Sequence, residues 1–224
     1  MSISPDLAQW RKTQRAELIS RRQAITPDDH HAWSATITQL VEQGFPILQK
    51  LVVGFCWPYK GEMDPRFAIR FLRERGARAA LPAVVKKNAP LEFREWWPGV
   101  TMTPGVFDLP VPDDTKVLIP DALLIPPVGF GEQGDRLGYG GGFFDRTLEA
   151  ITPQPLKIAM AFEVSRIPTT YPQAHDILMD FVVTERGIHL VENGKMRIID
   201  VSESIALSNQ MASDRKLPRM QESM

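Results

Sequence analysis

Residues 117–164 have the sequence VLIPDALLIPPVGFGEQGDRLGYGGGFFDRTLEAITPQPLKIAMAFEV. The segment begins with a strongly apolar run, Val117–Val128, and continues through a glycine-rich stretch into a helical pattern, Phe143–Ala150. It ends in a second apolar run, Lys157–Val164. Short apolar runs bounded by turn residues are typical of buried strands. A strand, a helix and a strand in this order predict a parallel sheet with helices packed against it.

The same alternation continues on both sides of this segment. Further helices are predicted at Leu7–Gln23, His30–Gln43 and Asp64–Arg75, and further strands at Leu51–Trp57, Ala77–Val85, Leu91–Trp97 and Asp180–Glu185. Thr26 precedes Pro27, a pair that favours the start of a helix with Thr26 as its N-cap. We therefore predict an α/β fold: a single-domain, mostly parallel doubly wound sheet flanked by helices, with a small edge hairpin.

The last part of the chain has a different character. Ile188–Leu190 and Met196–Val201 predict the edge hairpin. From Ser202 onward the sequence is polar and mixed, without clear periodicity, which predicts a tail that is poorly ordered or only loosely docked. We assign residues 1–193 to the α/β domain and 194–224 to a C-terminal extension, an edge strand followed by the polar tail.

The composition excludes several classes of protein. The 224 residues include 26 basic and 27 acidic side chains, so the chain lacks the basic field of nucleic-acid-binding proteins. No apolar run approaches the ~18 residues of a membrane span, and the N-terminus lacks the apolar core of a secretory signal. Cys56 is the single cysteine, which excludes an internal disulfide and a multi-cysteine zinc site. We expect a soluble, cytoplasmic protein, a monomer or small homo-oligomer, that acts on a small molecule.

The glycine-rich stretch is the strongest candidate for chemistry. Five of the 15 glycines fall within Gly134–Gly142, between a predicted strand and a predicted helix. Glycines let the backbone approach a ligand closely, and the N-terminus of a helix favours an anion such as phosphate. Asp145 follows within the first helical turn and has the oxygen ligands that Mg²⁺ prefers. From the residues alone, a flexible turn with an acid that favours the helix dipole is an equally good interpretation.

The segment Pro127–Arg146, PVGFGEQGDRLGYGGGFFDR, resembles the signature of the 5-formyltetrahydrofolate cyclo-ligase family. Other landmarks of that family occur in its order along the chain. They are the basic residues Arg11, Lys12 and Arg15, the turn Gly61–Asp64, Leu81-Pro82, Leu91–Trp97, and His175-Asp176 ahead of Asp180–Glu185. The resemblance covers residues 7–191 and leaves only the tail outside it. Ala83 departs from the pattern, since many relatives carry a basic residue there.

The resemblance implies an activity as well as a fold. The family closes the ring of 5-formyltetrahydrofolate to 5,10-methenyltetrahydrofolate, consuming ATP with Mg²⁺ and releasing ADP and phosphate. A formamide oxygen is a poor leaving group, and its phosphorylation to an iminophosphate lets attack by N10 expel phosphate. Such chemistry depends on charge neutralisation and alignment more than on a protein nucleophile. Two alternatives stay open: a divergent member that uses ATP on another formyl or amide compound, and a non-catalytic folate- or nucleotide-binding protein.

The resemblance also implies site residues. For ATP they are Arg11, Lys12, Arg15, Arg136, Gly138, Tyr139, Gly140, Gly141, Gly142, Phe143 and Phe144. For the reduced folate they are Glu62, Met63, Tyr139, Gly140 and Phe143, and Trp97 is added because its ring could stack against the rings of the folate. Arg15, Glu62 and Tyr139 are the implied catalytic residues, and Asp145 and Asp176 the implied magnesium ligands.

Ordinary structural roles compete with several of these assignments. Without the resemblance, Arg11 and Arg15 would be interpreted as a solvated helix face, Glu62 as an exposed turn acid and Asp176 as a capping residue. His175 is interpreted as structural or as a support for the ligands beside it. Aromatic side chains on strands are more often core than ligand contacts, which applies to Trp57, Phe93, Trp96 and Trp97.

Overall fold

A computed structural model describes residues 5–219. The helices are α1 (Pro5–Gln23), α2 (Pro27–Gly44), α3 (Arg66–Arg73), α4 (Phe143–Ala150) and α5 (Val201–Asp214), with short 3-10 turns at Pro46–Lys50, Val106–Asp108 and Glu163–Ser165. The strands are β1 (Val52–Phe55), β2 (Arg78–Ala83), β3 (Glu92–Trp96), β4 (Met102–Pro104), β5 (Pro110–Pro112), β6 (Val117–Leu118), β7 (Ala122–Ile125), β8 (Gly129–Phe130), β9 (Arg136–Leu137), β10 (Leu156–Met160), β11 (Phe181–Thr184), β12 (Gly187–Glu192) and β13 (Lys195–Ile199).

The main sheet has a parallel centre and antiparallel edges. Its strand order is β13-β12-β11-β10-β7-β1-β2-β3-β6. The five strands from β11 to β2 are parallel to one another. At one edge β12 and β13, and at the other β3 and β6, each pair antiparallel with the preceding strand of the sheet. This arrangement confirms the predicted α/β fold, including the edge hairpin of β12 and β13.

One predicted run is divided between two places in the sheet. The apolar stretch 117–128 forms β6 at the outer edge and β7 beside β1 in the centre. Pro120 lies between them, and proline has no N–H to donate to a ladder. The chain therefore leaves the edge there and enters the centre as a new strand.

Helices cover both faces of the parallel centre. Val53 and Phe55 of β1 belong to a core that includes Ile37 of α2 and Ile69 of α3. Val52 belongs to a second core on the other face, which includes side chains of α4 and of the β8 strand. Successive strand residues face opposite sides, so helices on both sides explain why all of β1 is buried.

The start of α2 follows the sequence prediction. The Thr26 hydroxyl accepts a hydrogen bond from the backbone N–H of Asp29 at 3.2 Å, and Pro27 occupies the first helical turn. This arrangement satisfies one of the N–H groups that a helix start leaves without a partner. The predicted N-cap is confirmed.

The prediction for the tail was wrong. Residues from Val201 form α5, which packs on α2, and the Ser204 hydroxyl donates to the carbonyl of Gly44 at 2.9 Å. The buried face consists of Ser204, Ser208 and Ala212, four residues apart. Small side chains allow close helix packing but give no apolar periodicity, so the sequence pattern does not indicate this helix. Residues 220–224 of the predicted tail lie outside the described residues.

The residues after α5 close the amino-terminal end of the parallel strands. Arg215 contacts both oxygens of Asp180, at 2.6 and 2.9 Å, just before β11. Arg219 contacts Asp121, just before β7, at 2.9 Å. The last described residues therefore cover the amino ends of the parallel strands, and the carboxyl ends stay open.

None of the helices within residues 5–219 combines the length and the apolar character that crossing a membrane requires. The longest, α1, has 19 residues, and four of them are arginines. The division of the chain at residue 193 stays a prediction.

Candidate active site

A cleft of about 580 Å³ opens at the carboxyl ends of β1, β2 and β7. Cys56 and Trp57 follow β1, Val84 follows β2, and Pro126 follows β7, and all of them line it. The chain passes from β1 to β2 on one side and later to β7 on the other, so the strand order reverses between β1 and β7. Open α/β sheets bind ligands at such a reversal.

The glycine loop forms one wall of this cleft. The β8–β9 hairpin leads into residues 138–142, and Gly142, in the left-handed conformation with φ 62°, is the residue before α4. Gly140 has φ 96°, and a Cβ atom there would lie 3.3 Å from the Arg15 guanidinium carbon. The positive φ angles favour glycine at both positions, and the guanidinium of Arg15 leaves little room for a side chain at Gly140.

Three arginines make one part of the lining strongly cationic. The Arg15 side chain donates to the carbonyl of Gly138 at 2.7 Å, which joins α1 to the glycine loop. Burial, reinforced by the charge of Arg11, lowers the pKa of Arg15. Burial also lowers the pKa of Arg136, against the opposing attraction of Asp145 and Asp176. A neighbouring anion would relieve the mutual repulsion of these cations.

Each of the two predicted magnesium ligands forms an ion pair with one of these arginines. Asp145 accepts from Arg136 at 2.7 Å and from the Ile177 N–H at 3.3 Å. Asp176 accepts from Arg11 at 2.6 Å and from the Gln173 N–H at 2.8 Å. Both carboxylates line the cleft. In residues 5–219, His, Cys, Asp and Glu side chains form no group of three or more suited to a metal.

A buried carboxylate and a tyrosine lie elsewhere in the lining. Glu62 is 5% exposed, and one of its oxygens accepts from the Tyr139 hydroxyl at 2.7 Å. The other oxygen accepts from the Tyr59 N–H at 3.0 Å. Burial raises the pKa of Glu62 to about 7, although Arg22, Tyr139 and Tyr59 oppose the rise. This carboxyl group can therefore take up or release a proton near neutral pH.

The remaining lining is largely apolar and suits a flat ring system. Its apolar side chains include Trp57, Leu81, Leu91, Val106, Leu109, Val111, Phe143 and Phe144. The guanidinium of Arg66 lies 4.4 Å from the centre of the Trp57 ring and holds it by a cation–π contact. Residues on the 101–112 hairpin close this part from one side.

Most of the predicted site residues come together in this cleft. Its lining includes Arg11, Arg15, Glu62, Arg136, the loop Gly138–Phe144, Asp145 and Asp176. Lys12 is exposed, Met63 is buried in the main core, and Trp97 is 40% exposed; none of the three belongs to the lining. The structure therefore does not support a ligand contact for any of these three residues, and their assignments stay predictions.

Sequence reasoning missed two further arginines. Arg146 lines the cleft, donates to the Gly141 carbonyl at 2.7 Å and lies over the Phe143 ring at 5.1 Å. Arg22 is buried behind Tyr139. The signal for Arg146 was its position in the first turn of α4, four residues after Gly142, on the side of the helix that lies next to the glycine loop. For Arg22 the sequence offered only another basic residue on a basic helix.

Comparisons with known proteins agree on one family. The sequence profile of the 5-formyltetrahydrofolate cyclo-ligase family matches residues 7–185. The chain is 30% identical over 135 residues to the 5-formyltetrahydrofolate cyclo-ligase of Escherichia coli K12, covering 58% of this chain and 74% of that protein. It is 26% identical over 187 residues to the enzyme of the same name from Haemophilus influenzae, covering 78% and 98%.

The fold is similar to solved structures as well. The NMR structure of Aquifex aeolicus 5,10-methenyltetrahydrofolate synthetase superimposes with a TM-score of 0.71 at 22% identity, over 85% of this chain and 96% of that one. A 5,10-methenyltetrahydrofolate synthetase from Mycoplasma pneumoniae gives a TM-score of 0.65 at 22% identity, over 78% and 98%. At this identity the likeness concerns the fold.

Proposed function

This chain belongs to the 5-formyltetrahydrofolate cyclo-ligase family, and from that premise we propose that it converts 5-formyltetrahydrofolate to 5,10-methenyltetrahydrofolate with consumption of ATP. Membership makes the chain a ligase. The observation that carries the specific reaction is that one cleft combines a cationic, glycine-lined part with a part lined by rings and a buried carboxylate. A reaction between a triphosphate and a flat heterocycle needs both parts next to each other.

The cationic part is the proposed ATP site. Arg11, Arg15 and Arg136 supply positive charge, and the glycine loop supplies backbone N–H groups at the start of α4. Phosphoryl transfer relies on such fixed charges, because negative charge spreads over the transferring oxygens. Within this set, Arg15 is the proposed catalytic cation, since it already contacts the loop through Gly138.

The two carboxylates fit a magnesium ion that arrives with the nucleotide. Asp145 and Asp176 offer hard oxygen ligands in the same lining, and Mg²⁺ commonly takes one or two carboxylates and completes its shell with water and phosphate oxygens. When bound, the ion neutralises phosphate charge. Because both carboxylates are ion-paired with Arg136 and Arg11, binding would exchange these partners: each arginine turns to phosphate while its carboxylate turns to the cation.

The ring-lined part is the proposed folate site. The Glu62 carboxylate accepts hydrogen bonds from N–H groups of the pterin and positions the reacting nitrogen, and the Tyr139 hydroxyl fixes that carboxylate. Apolar side chains such as Trp57 and Phe143 cover the faces of the rings. Tyr139 and Gly140 lie on the glycine loop, so they border both ligands at the point where the phosphoryl group must move.

The reaction then follows in two steps. The γ-phosphoryl group of ATP transfers to the formyl oxygen, and ADP leaves. N10 attacks the formyl carbon and loses its proton, and the bond between that carbon and the phosphorylated oxygen breaks. Phosphate leaves with the original formyl oxygen, and the methenyl bridge remains. The chain aligns the partners and stabilises charge, without a covalent bond to the protein.

An absorbance assay tests this proposal. Purified protein with 5-formyltetrahydrofolate, ATP and Mg²⁺ is expected to develop the absorbance of the methenyl product. Formyl oxygen labelled with ¹⁸O is expected to appear in the released phosphate. Absence of product would contradict the proposal. ATP consumption with another formyl or amide compound would then favour the divergent enzyme, and tight folate binding without ATP consumption would favour a non-catalytic protein.

Cellular location and assembly form a separate proposal. We propose that the protein works in the cytoplasm, where ATP and reduced folates meet, as a monomer or small homo-oligomer. No nucleic-acid or membrane partner is needed for the reaction. Light scattering of the purified protein measures its assembly, and cell fractionation measures its location.

A further inference from the structure

Arg22 has an unusually complete set of partners for a residue in the last turn of α1. Its side chain is 3% exposed. The guanidinium donates to the carbonyl of Lys60 at 3.0 Å and to that of Pro127 at 3.2 Å. These acceptors belong to the loop after β1 and the segment after β7, so Arg22 connects α1 to two walls of the cleft. Arg21, its neighbour, is half-exposed and pairs only with Glu17 of its own helix among the described residues.

The same guanidinium contacts the two groups at the centre of the proposed folate site. One of its nitrogens donates to the Tyr139 hydroxyl at 2.8 Å, and that hydroxyl donates to Glu62 at 2.7 Å. This arginine nitrogen lies 3.6 Å from the same Glu62 oxygen. A tyrosine hydroxyl has one proton, and the donation from Arg22 directs that proton towards Glu62.

The other groups around Glu62 do not supply this charge. The Tyr59 N–H binds its second oxygen, and the Tyr59 ring lies 5.6 Å from the Tyr139 ring. A His30 ring nitrogen contacts the backbone carbonyl of Glu62 at 3.1 Å, away from the carboxylate. Cys56 lies nearby, and burial together with the Glu62 charge raises the pKa of its thiol, which keeps it neutral. Lys60 places its ammonium 5.1 Å above the Tyr59 ring.

We propose that Arg22 is a positioning residue for the folate part of the cleft: it holds the Tyr139 hydroxyl against Glu62, favours the ionised form of that carboxylate and orients it for substrate. Arg22 does not line the cleft, so it acts through these two side chains. The planar guanidinium suits this role because it serves backbone and side-chain acceptors at once in a fixed geometry. The inference rests on the proposed function, in which Glu62 and Tyr139 bind the folate.

Turnover measurements separate this role from general support of the fold. Arg22→Met is expected to raise KM for 5-formyltetrahydrofolate by about tenfold or more, the usual effect of losing a charge-assisted hydrogen bond, while KM for ATP stays unchanged. Loss of the cation is also expected to move the acidic limb of the pH profile of kcat/KM upward by about one pH unit. Arg21→Met is the matched control, with wild-type values for all three quantities. Equal values for the two variants would overturn the proposal.

A conservative variant covers the case in which Arg22→Met does not fold. Arg22→Lys keeps the charge but cannot reach all the acceptors in one plane. We expect its acidic limb to stay at the wild-type pH while KM for the folate rises. A wild-type KM in Arg22→Lys would show that the geometry of the guanidinium is irrelevant and would overturn the proposal.

A measurement without turnover distinguishes failure of this inference from failure of the proposed function. The side-chain carboxyl of Glu62, ¹³C-labelled and assigned with Glu62→Gln, can be titrated by NMR in the protein without ligands. Its midpoint is expected near neutral pH in the wild type and in Arg21→Met, and at higher pH in Arg22→Met. An unchanged midpoint in Arg22→Met would overturn the role of Arg22 even if the wild type is fully active. The expected change would support that role even if the wild type shows no cyclo-ligase activity.

Discussion

A carboxylate is buried beside an arginine at each end of the parallel strands, but the two carboxylates differ in how closely cations surround them. At the carboxyl end, Glu62 has Arg22 at 3.6 Å, and burial raises its pKa to about 7. At the amino end, Asp180 has Lys157 at 3.0 Å and Arg215 at 2.6 Å. Burial would raise the pKa of Asp180 as well, but these two cations outweigh it and hold the pKa below its ordinary value.

This difference separates a binding region from a structural one. The amino end is closed by the residues after α5, and the charges there are saturated by one another. The carboxyl end opens into a cleft in which Arg15 forms no ion pair with a carboxylate among the described residues, and in which the ionic partner of Glu62, Arg22, lies only at 3.6 Å. A buried ion pair alone therefore does not indicate function in this fold. Incomplete pairing next to an open cavity does.

The largest expected effect is on activity, from a change at the open end. Asp145→Asn removes a proposed magnesium ligand but keeps an oxygen that can accept from Arg136. We expect kcat/KM to fall by about 10² to 10³, as when a group that stabilises transition-state charge is removed, with little change in the unfolding temperature. Steady-state kinetics and thermal unfolding measure the two quantities.

The control for this variant is Glu95→Gln. Glu95 also forms an ion pair with an arginine, Arg78, at 2.9 Å, and it is similarly half-buried, but it lies outside the lining. Its kcat/KM should equal that of the wild type. If Asp145→Asn were as active as Glu95→Gln, the assignment of Asp145 to the metal would be wrong.

The next effect is on stability, from a change at the closed end. Asp121 is fully buried, and Arg219 is its ionic partner. Arg219→Met leaves that carboxylate with backbone donors from Val52 and residue 219 but without a counter-ion among residues 5–219. The free energy of unfolding should fall by about 3 kcal/mol, the lower part of the range for breaking a buried pair. Denaturant unfolding measures it.

A double variant tests the cause. Asp121→Asn with Arg219→Met removes the buried charge together with its partner, so it should be more stable than Arg219→Met alone. Both proteins should retain the wild-type KM for each substrate. A double variant that is less stable than the single one would show that packing, rather than charge, determines the stability of the amino end.

Glu62 links stability to pH in a predictable direction. Its pKa rises from an ordinary value of 4.5 to about 7 in the folded chain, so the folded state holds more protons than the unfolded state between these values. The free energy of unfolding therefore decreases as pH rises through this window, by about 3 kcal/mol in total at about 1.4 kcal/mol per pH unit. Glu62→Gln should lack this contribution, so its loss of stability between pH 4.5 and pH 8 should be smaller than that of the wild type. Equal losses would contradict the raised pKa.

The sequence predicted the elements whose pattern carries a direct physical signal. The predicted bounds of Phe143–Ala150 are those of α4, because the glycine before it and the apolar spacing within it act locally. The strands of the parallel centre were also predicted, since burial on both faces leaves continuous apolar runs, although the run 117–128 divides between β6 and β7. The helix α5 was missed because its buried face consists of serine and alanine.

The site residues that belong to a local sequence motif could be predicted, and those whose place depends on how distant segments pack could not. The glycine loop and Asp145 were singled out from the residues themselves, and the resemblance to a family added Asp176. The pairing of Asp176 with Arg11 depends on residues 165 positions apart in the chain. Lys12 differs from Arg11 by one helical position and points to solvent, a distinction that follows from how α1 packs. Nothing in the sequence indicated that Arg22 would lie behind Tyr139.

The smallest expected effect comes from Arg215, the second arginine at the closed end. Arg215→Met removes two contacts with Asp180, but Lys157 remains beside that carboxylate, through both its ammonium at 3.0 Å and its backbone N–H at 2.8 Å. Burial lowers the pKa of Lys157, and the charge of Arg215 lowers it further, so removing Arg215 strengthens the remaining cation.

We expect Arg215→Met to lower the free energy of unfolding by about 1 kcal/mol, within the range for one hydrogen-bonded contact whose partner stays paired. The measurement is the same denaturant titration as for Arg219→Met, at pH 7. A loss equal to that of Arg219→Met would mean that Lys157 does not substitute as a counter-ion. The Asp180 carboxylate would then be as short of positive charge as Glu62 is, and incomplete pairing would no longer distinguish the two ends.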